Sequence, residues 1–342
     1  MDKPKDLLSN QSPKAQGNGG ENVAARDHNN RGVLLQMNGD LEGARAEYFM
    51  ALEIDPENAT ALNNLGFLIA QEGRLEEAIR YYQRTLEIDP NRTMAWTNLG
   101  NARAALGDMN GGIEALRRAV ELDPRNVLAW DNLGRLMMAL GQLSEAETAW
   151  HKALEVAPTE AYLHTALGTV VAAQQRLPEA IEILQEAVRL DPNSAKAWAQ
   201  LGIVLFMRQD LGSAADVLRR ALAFAPEDVS ARHHLSMVLL ARGEQEAAAK
   251  ELERILVLDP DNVPAQLDLA IHSLSRGQLE DALRRLDAVL KEHVADERAR
   301  FYRAVVLDQL NRKEEATEIL EVLAQETPGK YSERARRYLK ER

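Results

Sequence analysis

Asn30, Asn64, Asn98 and Asn132 stand 34 residues apart along the chain. A carboxamide carries both an acceptor oxygen and a donor nitrogen, so a row of them can pair with successive peptide units of an extended partner whatever its side chains. Asn29, Asn63 and Asn101 enlarge the same candidate surface. The other chemistry-bearing residues form no such row. The histidines (His28, His151, His164, His233, His234, His272, His293) are scattered. The adjacent pair His233-His234 points about 100° apart on a helix, unlike the i, i+4 pair of a helix-borne metal site. The runs Glu76-Glu77 and Glu314-Glu315 read as solvated helix surface, and Gly111-Gly112 is a lone pair at a helix start rather than a phosphate-cradling loop. These residues point to binding, with no catalytic constellation, metal site or cofactor.

The elements that must position such a row are helical. Aromatics make up only 5% of the 342 residues, and the dominance of Ala, Leu, Glu and Arg is the profile of a nearly all-helical protein. Cysteine is absent, which excludes disulfides, thiol catalysis and cysteine-zinc sites. A formal net charge of −12 disfavours nucleic-acid binding, which needs a basic surface, and favours a protein or peptide partner with a basic segment. No apolar run reaches membrane-spanning length, and the N-terminal lysines lack the apolar stretch of a secretory signal. A cytoplasmic location is the default expectation. Residues 1–22, rich in Lys, Asp, Ser, Asn, Gln, Gly and Pro, are expected to form a disordered tail.

The helices have a fixed period. Pro56, Pro90, Pro124, Pro158, Pro192, Pro226 and Pro260 recur every 34 residues, Val294 stands at the next step, and Pro328 follows. With this residue at position 32, repeats begin at 25, 59, 93, 127, 161, 195, 229, 263 and 297. Positions 7 and 8 then read Leu65-Gly66, Leu99-Gly100, Leu133-Gly134, Leu167-Gly168 and Leu201-Gly202, and position 4 holds Trp96, Trp130 and Trp198. Position 20 is Ala44, Ala78, Ala146, Ala180, Ala214, Ala248, Ala282 and Ala316, with Gly112 in the third repeat. Position 24 includes Tyr48, Tyr82, Leu116 and Trp150. Small residues at positions 8 and 20 let two helices approach, and large ones at 4, 7 and 24 fill the space around them. Gly39, Gly73, Gly107, Gly141, Gly243 and Gly277 at position 15 fit a left-handed helix end. Asp40, Asp108 and Asp210 are candidate caps of second helices; Asn58, Asn126, Ser194, Asp228 and Asn262 are candidate caps of the next first helix.

This pattern resembles the tetratricopeptide repeat family over roughly residues 25–330. The resemblance implies an all-α, right-handed alpha-solenoid of about nine 34-residue helix-turn-helix units (25–58, 59–92, 93–126, 127–160, 161–194, 195–228, 229–262, 263–296, 297–330), spanning 23–330. Residues 331–342 are expected to form a C-terminal capping helix, with Tyr331, Ala335, Tyr338 and Leu339 on its inner face. The first repeat carries His28 and Arg31, and the eighth and ninth carry Ser273, Val294, Arg300 and Arg303, where the family pattern has other residues.

The family further implies that first helices line a concave groove, with positions 2, 5, 6, 9, 12 and 13 facing it. The asparagine ladder then lies on that wall and resembles the groove of the superhelical arm of O-linked N-acetylglucosamine transferase, where such asparagines grip substrate backbone; alternatively the amides bridge adjacent helices. Arg135 and Gln200 belong to the same wall. Phe206, Met207 and Met237, with Ile203, Leu240, Ile271 and Phe301, are candidate side-chain pockets that make its C-terminal half the more apolar. Position 5 holds no lysine, which argues against the family's carboxylate clamp. The expected function is a non-catalytic adaptor holding an extended peptide. The alternatives are a self-assembling scaffold using its convex face and ends, and a recruiting arm for a separate enzyme.

Overall fold

The computed structural model describes residues 22–341. The tail expected over residues 1–22 lies outside them, except for Asn22. The chain divides into two compact units, the described parts of which are 22–176 and 177–341. The N-terminal unit consists of α1 (Val23–Met37), α2 (Leu41–Ile54), α3 (Ala59–Gln71), α4 (Leu75–Ile88), α5 (Thr93–Ala105), α6 (Met109–Leu122), α7 (Val127–Ala139), α8 (Leu143–Val156) and α9 (Ala161–Ala173). The C-terminal unit consists of α10 (Leu177–Leu190), α11 (Ala195–Met207), α12 (Leu211–Phe224), α13 (Val229–Ala241), α14 (Gln245–Leu258), α15 (Val263–Ser275), α16 (Leu279–Glu292), α17 (Glu297–Gln309), α18 (Lys313–Gln325) and α19 (Lys330–Glu341). The fold class is the all-α helical-repeat class, with no strand among the described residues.

Local chemistry accounts for the helix ends. The carboxamide of Asn58 accepts from the Ala61 amide at 3.0 Å and that of Asn126 from Ala129 at 3.0 Å. Asp228 and Asn262 do the same for α13 and α15, and Ser194 for α11. Asp40, Asp108 and Asp210 cap α2, α6 and α12. Each of these bonds satisfies one of the amides a helix start leaves open. The second helices that begin without a side-chain cap (α4, α8, α14, α16, α18) instead carry acidic residues in their first turn. Glu76-Glu77 and Glu314-Glu315 therefore oppose the positive end of a helix dipole. First helices of most repeats end at a position-15 glycine with φ between 71° and 89°. Three repeats place Gln175, Gln209 or Asn311 there, at φ 65°, 67° and 63°.

Position 4 has a second duty beyond filling space. The indole nitrogens of Trp96, Trp130 and Trp198 donate to the carbonyls of Pro90, Pro124 and Pro192 at 2.8, 2.9 and 2.8 Å. His164 and Gln266 make the same bond to Pro158 and Pro260, and Arg232 to Pro226. A side chain with a donor at this position ties these six turns between repeats to the helix that follows. In the first repeat, His28 and Arg31 both meet Glu47, and in the ninth Arg300 pairs with Glu326. These departures from the family pattern are polar side chains held by a glutamate.

Inside each unit neighbouring hairpins bury shared apolar clusters. In the N-terminal unit Tyr48, Leu52, Leu65, Leu68, Tyr82 and Leu99 are among its buried members. In the C-terminal unit α19 closes the core with Ala335 fully buried and Tyr331, Tyr338 and Leu339 packed beside it. Its exposed Arg334 stacks on Phe301 and Tyr331 and donates to the Tyr302 hydroxyl at 3.2 Å.

Candidate functional site

In the N-terminal unit the asparagines form a ladder with a rule. Position 6 of one repeat donates to position 5 of the repeat before it. Asn64 Nδ2 donates to Asn29 Oδ1 at 2.9 Å, and Asn98 Nδ2 to Asn63 Oδ1 at 3.2 Å. Asn29 and Asn63 are 5% and 6% exposed, so these amides bridge α1 to α3 and α3 to α5. Asn30, at position 6 of the first repeat, is exposed, and Asn101 is half-buried at position 9.

The ladder breaks at the third step. Position 5 is now Thr97, whose hydroxyl donates to the Thr93 carbonyl at 2.9 Å and accepts from Asn126 Nδ2 at 3.2 Å. Asn132, the next donor in the row, has a buried Nδ2 with no acceptor. Beside it Asp131, 3% exposed, accepts from Trp150 Nε1 at 2.8 Å and from Arg135 Nε and Nη2 at 3.0 and 2.7 Å. Two classes of donor thus satisfy a buried carboxylate, and the Arg135 side chain remains 59% exposed.

An apolar stripe flanks this polar row. Met94, Leu128 and Tyr162 occupy position 2 of three consecutive repeats and are 51%, 49% and 45% exposed. Phe67, at position 9, is also exposed. The N-terminal wall therefore carries at least as many exposed apolar side chains as the C-terminal one, contrary to the expected gradient. The position-2 residues were visible in the sequence, but helical periodicity does not say which of them a neighbouring repeat covers.

In the C-terminal unit Met207, Met237 and Leu240 are partly exposed, and Gln200 and Phe206 are half-buried. Phe301 is 7% exposed and packs against Tyr302, Tyr331 and Tyr338; it belongs to the core. The pairing of position 6 with the preceding position 5 recurs in charged form. Asp268 faces His233 Nε2 at 3.7 Å and is ion-paired with Arg298. Burial pushes the Asp268 carboxyl up, but the proximity of His233 and Arg298 more than reverses this and holds it below its ordinary range. Among the described residues no group of three or more His, Cys, Asp or Glu could hold a metal ion. No described helix is long and apolar enough to cross a membrane.

A family model described as the cilia and flagella-associated protein 70 C-terminal domain matches residues 8–262, and one described as a tetratricopeptide repeat matches residues 239–300. The chain belongs to the tetratricopeptide repeat family that the first model describes. The subunits of the APC/C hetero-tetramer Cut9–Hcn1 include a similar structure, 17% identical, with a TM-score of 0.59 over 80% of this chain and 55% of that one. PilF of Pseudomonas aeruginosa is also 17% identical, with a TM-score of 0.55 over 61% of this chain and 96% of its own. Both show the same fold. YrrB, a tetratricopeptide repeat protein with an unusual peptide-binding site, is 22% identical with a TM-score of 0.47 over 54% of this chain and 96% of its own. None of the curated proteins matches the chain. The tetratricopeptide repeat fold is, in general, a scaffold for protein–protein interaction.

Proposed function

We propose that the N-terminal unit is a non-catalytic adaptor that holds an extended segment of another protein along the wall formed by α1, α3, α5, α7 and α9. The observation that carries this reading is the buried, acceptorless Nδ2 of Asn132. A stranded buried donor costs about 1–3 kcal/mol, and turning the half-buried Asn132 side chain outward to a partner's backbone carbonyl would recover it. The exposed Arg135 and the half-buried Asn101 stand one helical turn or one repeat away on the same wall. Hydrogen bonds alone do not suffice, because each contributes about 0.5–1.5 kcal/mol while ordering a free segment costs about 2–5 kcal/mol. The stripe of Met94, Leu128 and Tyr162 supplies the apolar burial that makes up the difference.

The wall also describes the segment it would take. Across positions 2, 5, 6, 9, 12 and 13 of the first five repeats the only charged residues are Arg26, Asp131 and Arg135. The acidity of the chain lies elsewhere, so the gripped segment is uncharged and a basic stretch of the partner would lie against the second helices. The test is selection of peptides from a random library by the full chain, followed by affinity measurement with Leu128→Asp. A loss of at least about tenfold is expected; unchanged affinity would move the binding surface off this wall.

One observation favours a second reading, assembly through the N-terminal end. Position 10 is buried in Leu68, Ala102, Val170, Val204, Val238 and Val306, yet its first-repeat member, Leu34, is 60% exposed. A second copy covering α1 would bury it. Light scattering over a concentration series, with Leu34→Asp as control, separates a dimer or polymer from a monomer.

A further inference from the structure

Away from the first-helix wall, the N-terminal unit holds a cavity of about 330 Å³ between α6, α7 and α8. Its floor is Leu133, Met137 and Ala149, each less than 5% exposed, and Trp130 forms one side. The Trp130 ring is fixed by its bond to the Pro124 carbonyl at 2.9 Å. The rim carries Arg117 and Glu145, both exposed.

The repeat itself explains why space is left here. The equivalent site between α2, α3 and α4 has Phe49 at position 25 and Tyr81 at position 23, both packed into the core, Tyr81 only 5% exposed. Two repeats later the same positions are Arg117 and Ala149. Between α4, α5 and α6 the small Ala115 occupies position 23, and there Arg103 reaches across to the Gly111 carbonyl at 3.3 Å. Between α6, α7 and α8 the corresponding residue is Met137, which leaves the floor open. The cavity is thus the place of two aromatic rings that this repeat lacks, walled by Trp130 where the first site has Leu62.

The rim chemistry narrows the occupant. Arg117 and Glu145 make no ion pair or hydrogen bond among the described residues, while the neighbouring Glu121 is engaged by Arg118 at 3.1 Å. One unpaired charge of each sign therefore borders an apolar, aromatic-walled hole. We propose that this cavity takes a tryptophan or tyrosine side chain of a partner protein, flanked on one side by a basic residue facing Glu145 and on the other by an acidic residue facing Arg117. A buried aromatic ringed by polar contacts is the usual form of an interface anchor. The cavity opens between two second helices, on the side of α7 away from the first-helix wall, and is independent of the extended-segment reading, so the two can fail separately.

The test uses the full chain carrying methyl-labelled methionine and nitrogen-labelled tryptophan, titrated with acetyl-Lys-Trp-Glu-amide and acetyl-Lys-Ala-Glu-amide. The Trp peptide is expected to shift the Met137 methyl and Trp130 indole resonances, with the Ala peptide at least about tenfold weaker. Ala149→Tyr and, separately, Arg117→Phe restore the residues of the first site. Both are expected to abolish the shifts and to keep or raise the melting temperature. Absence of shifts with the Trp peptide would overturn the proposal, as would shifts surviving in both filled variants. Equal binding of N-acetyltryptophanamide would replace the protein partner with a small aromatic ligand. If both variants unfold, the space is not the one that Phe49 and Tyr81 fill, and the proposal falls on that ground. Self-association that Ala149→Tyr removes would make the occupant a second copy of this chain and overturn the assignment to a different protein.

Discussion

Asn63→Ala and Asn132→Ala delete chemically identical groups one step apart on the same ladder, and they should differ sharply in cost. Asn63 is 6% exposed and its Oδ1 takes the Asn98 amide at 3.2 Å. Truncating it strands the Asn98 donor at a helix–helix contact, which costs about 1–3 kcal/mol. Asn132 Nδ2 has no acceptor to lose, and relief of the stranded donor, about 1–3 kcal/mol, offsets the lost side-chain packing, so Asn132→Ala should stay within about 0.5 kcal/mol of the parent. Repeat arrays need not unfold in one step, so the assay is hydrogen exchange across α3, α5 and α7 alongside urea denaturation. Asn63→Ala should lower protection at the α3–α5 contact, and Asn132→Ala should leave α7 unchanged. Equal destabilisation by the two variants would refute the assignment of Asn63 to structure and of Asn132 to binding.

Three further outcomes follow from the fold. Gln209 holds φ 67° at a position where six other repeats use glycine. Gln209→Gly should therefore raise the melting temperature, because the left-handed conformation costs a side-chain-bearing residue about 1–2 kcal/mol, more than glycine's added chain entropy. Gly112→Ala sets two effects against each other. Alanine favours a helix by about 1 kcal/mol and occupies this position in the other repeats, but here the new methyl would meet the Gly100 carbonyl at 2.9 Å. Overpacking costs about 1–3 kcal/mol, so thermal denaturation should show a net loss. Burial pushes Asp281 up, but hydrogen bonds from Arg285, Ser273 and Arg284 bring it down to about 2, against an ordinary value of 3.8. A depressed carboxylate stabilises the fold above its unfolded value and loses that contribution as the pH falls from about 4 to about 2. The acid-unfolding curve of Asp281→Asn should lack this component.

Much of this architecture was legible because it repeats. Pro56 through Pro260 locate the ends of the second helices, the position-15 glycines locate the turns, and Asn58, Asn126, Ser194, Asp228 and Asn262 are the caps their types and places suggested. What the period could not show depends on neighbours from other repeats. Position 4 reads as bulky apolar when it holds Trp96 or Trp130, and only the bond to the preceding proline carbonyl explains why His164, Arg232 and Gln266 serve equally well. The row of asparagines was visible, yet its division into bridging Asn64 and Asn98 and acceptorless Asn132 turns on Thr97 replacing one acceptor. Exposure escaped in both directions, with Phe301 buried under α19 and Met94, Leu128 and Tyr162 open. The cavity beside Trp130 arises from two substitutions in different helices, Arg117 and Ala149, which no single-helix pattern brings together.

The central claim, that the first-helix wall of the N-terminal unit holds an extended segment, is tested most directly by the affinity of one library-selected peptide for four full-length proteins. These are the parent chain, Asn132→Ala, Leu128→Asp and the second-helix variant Arg118→Asp, compared by fluorescence anisotropy. Loss of one hydrogen bond should weaken binding to Asn132→Ala by about 2- to 12-fold. Leu128→Asp should lose more than that, and Arg118→Asp should bind like the parent. Affinity that is indifferent to Asn132 and Leu128, or that falls only with Arg118, would contradict the account.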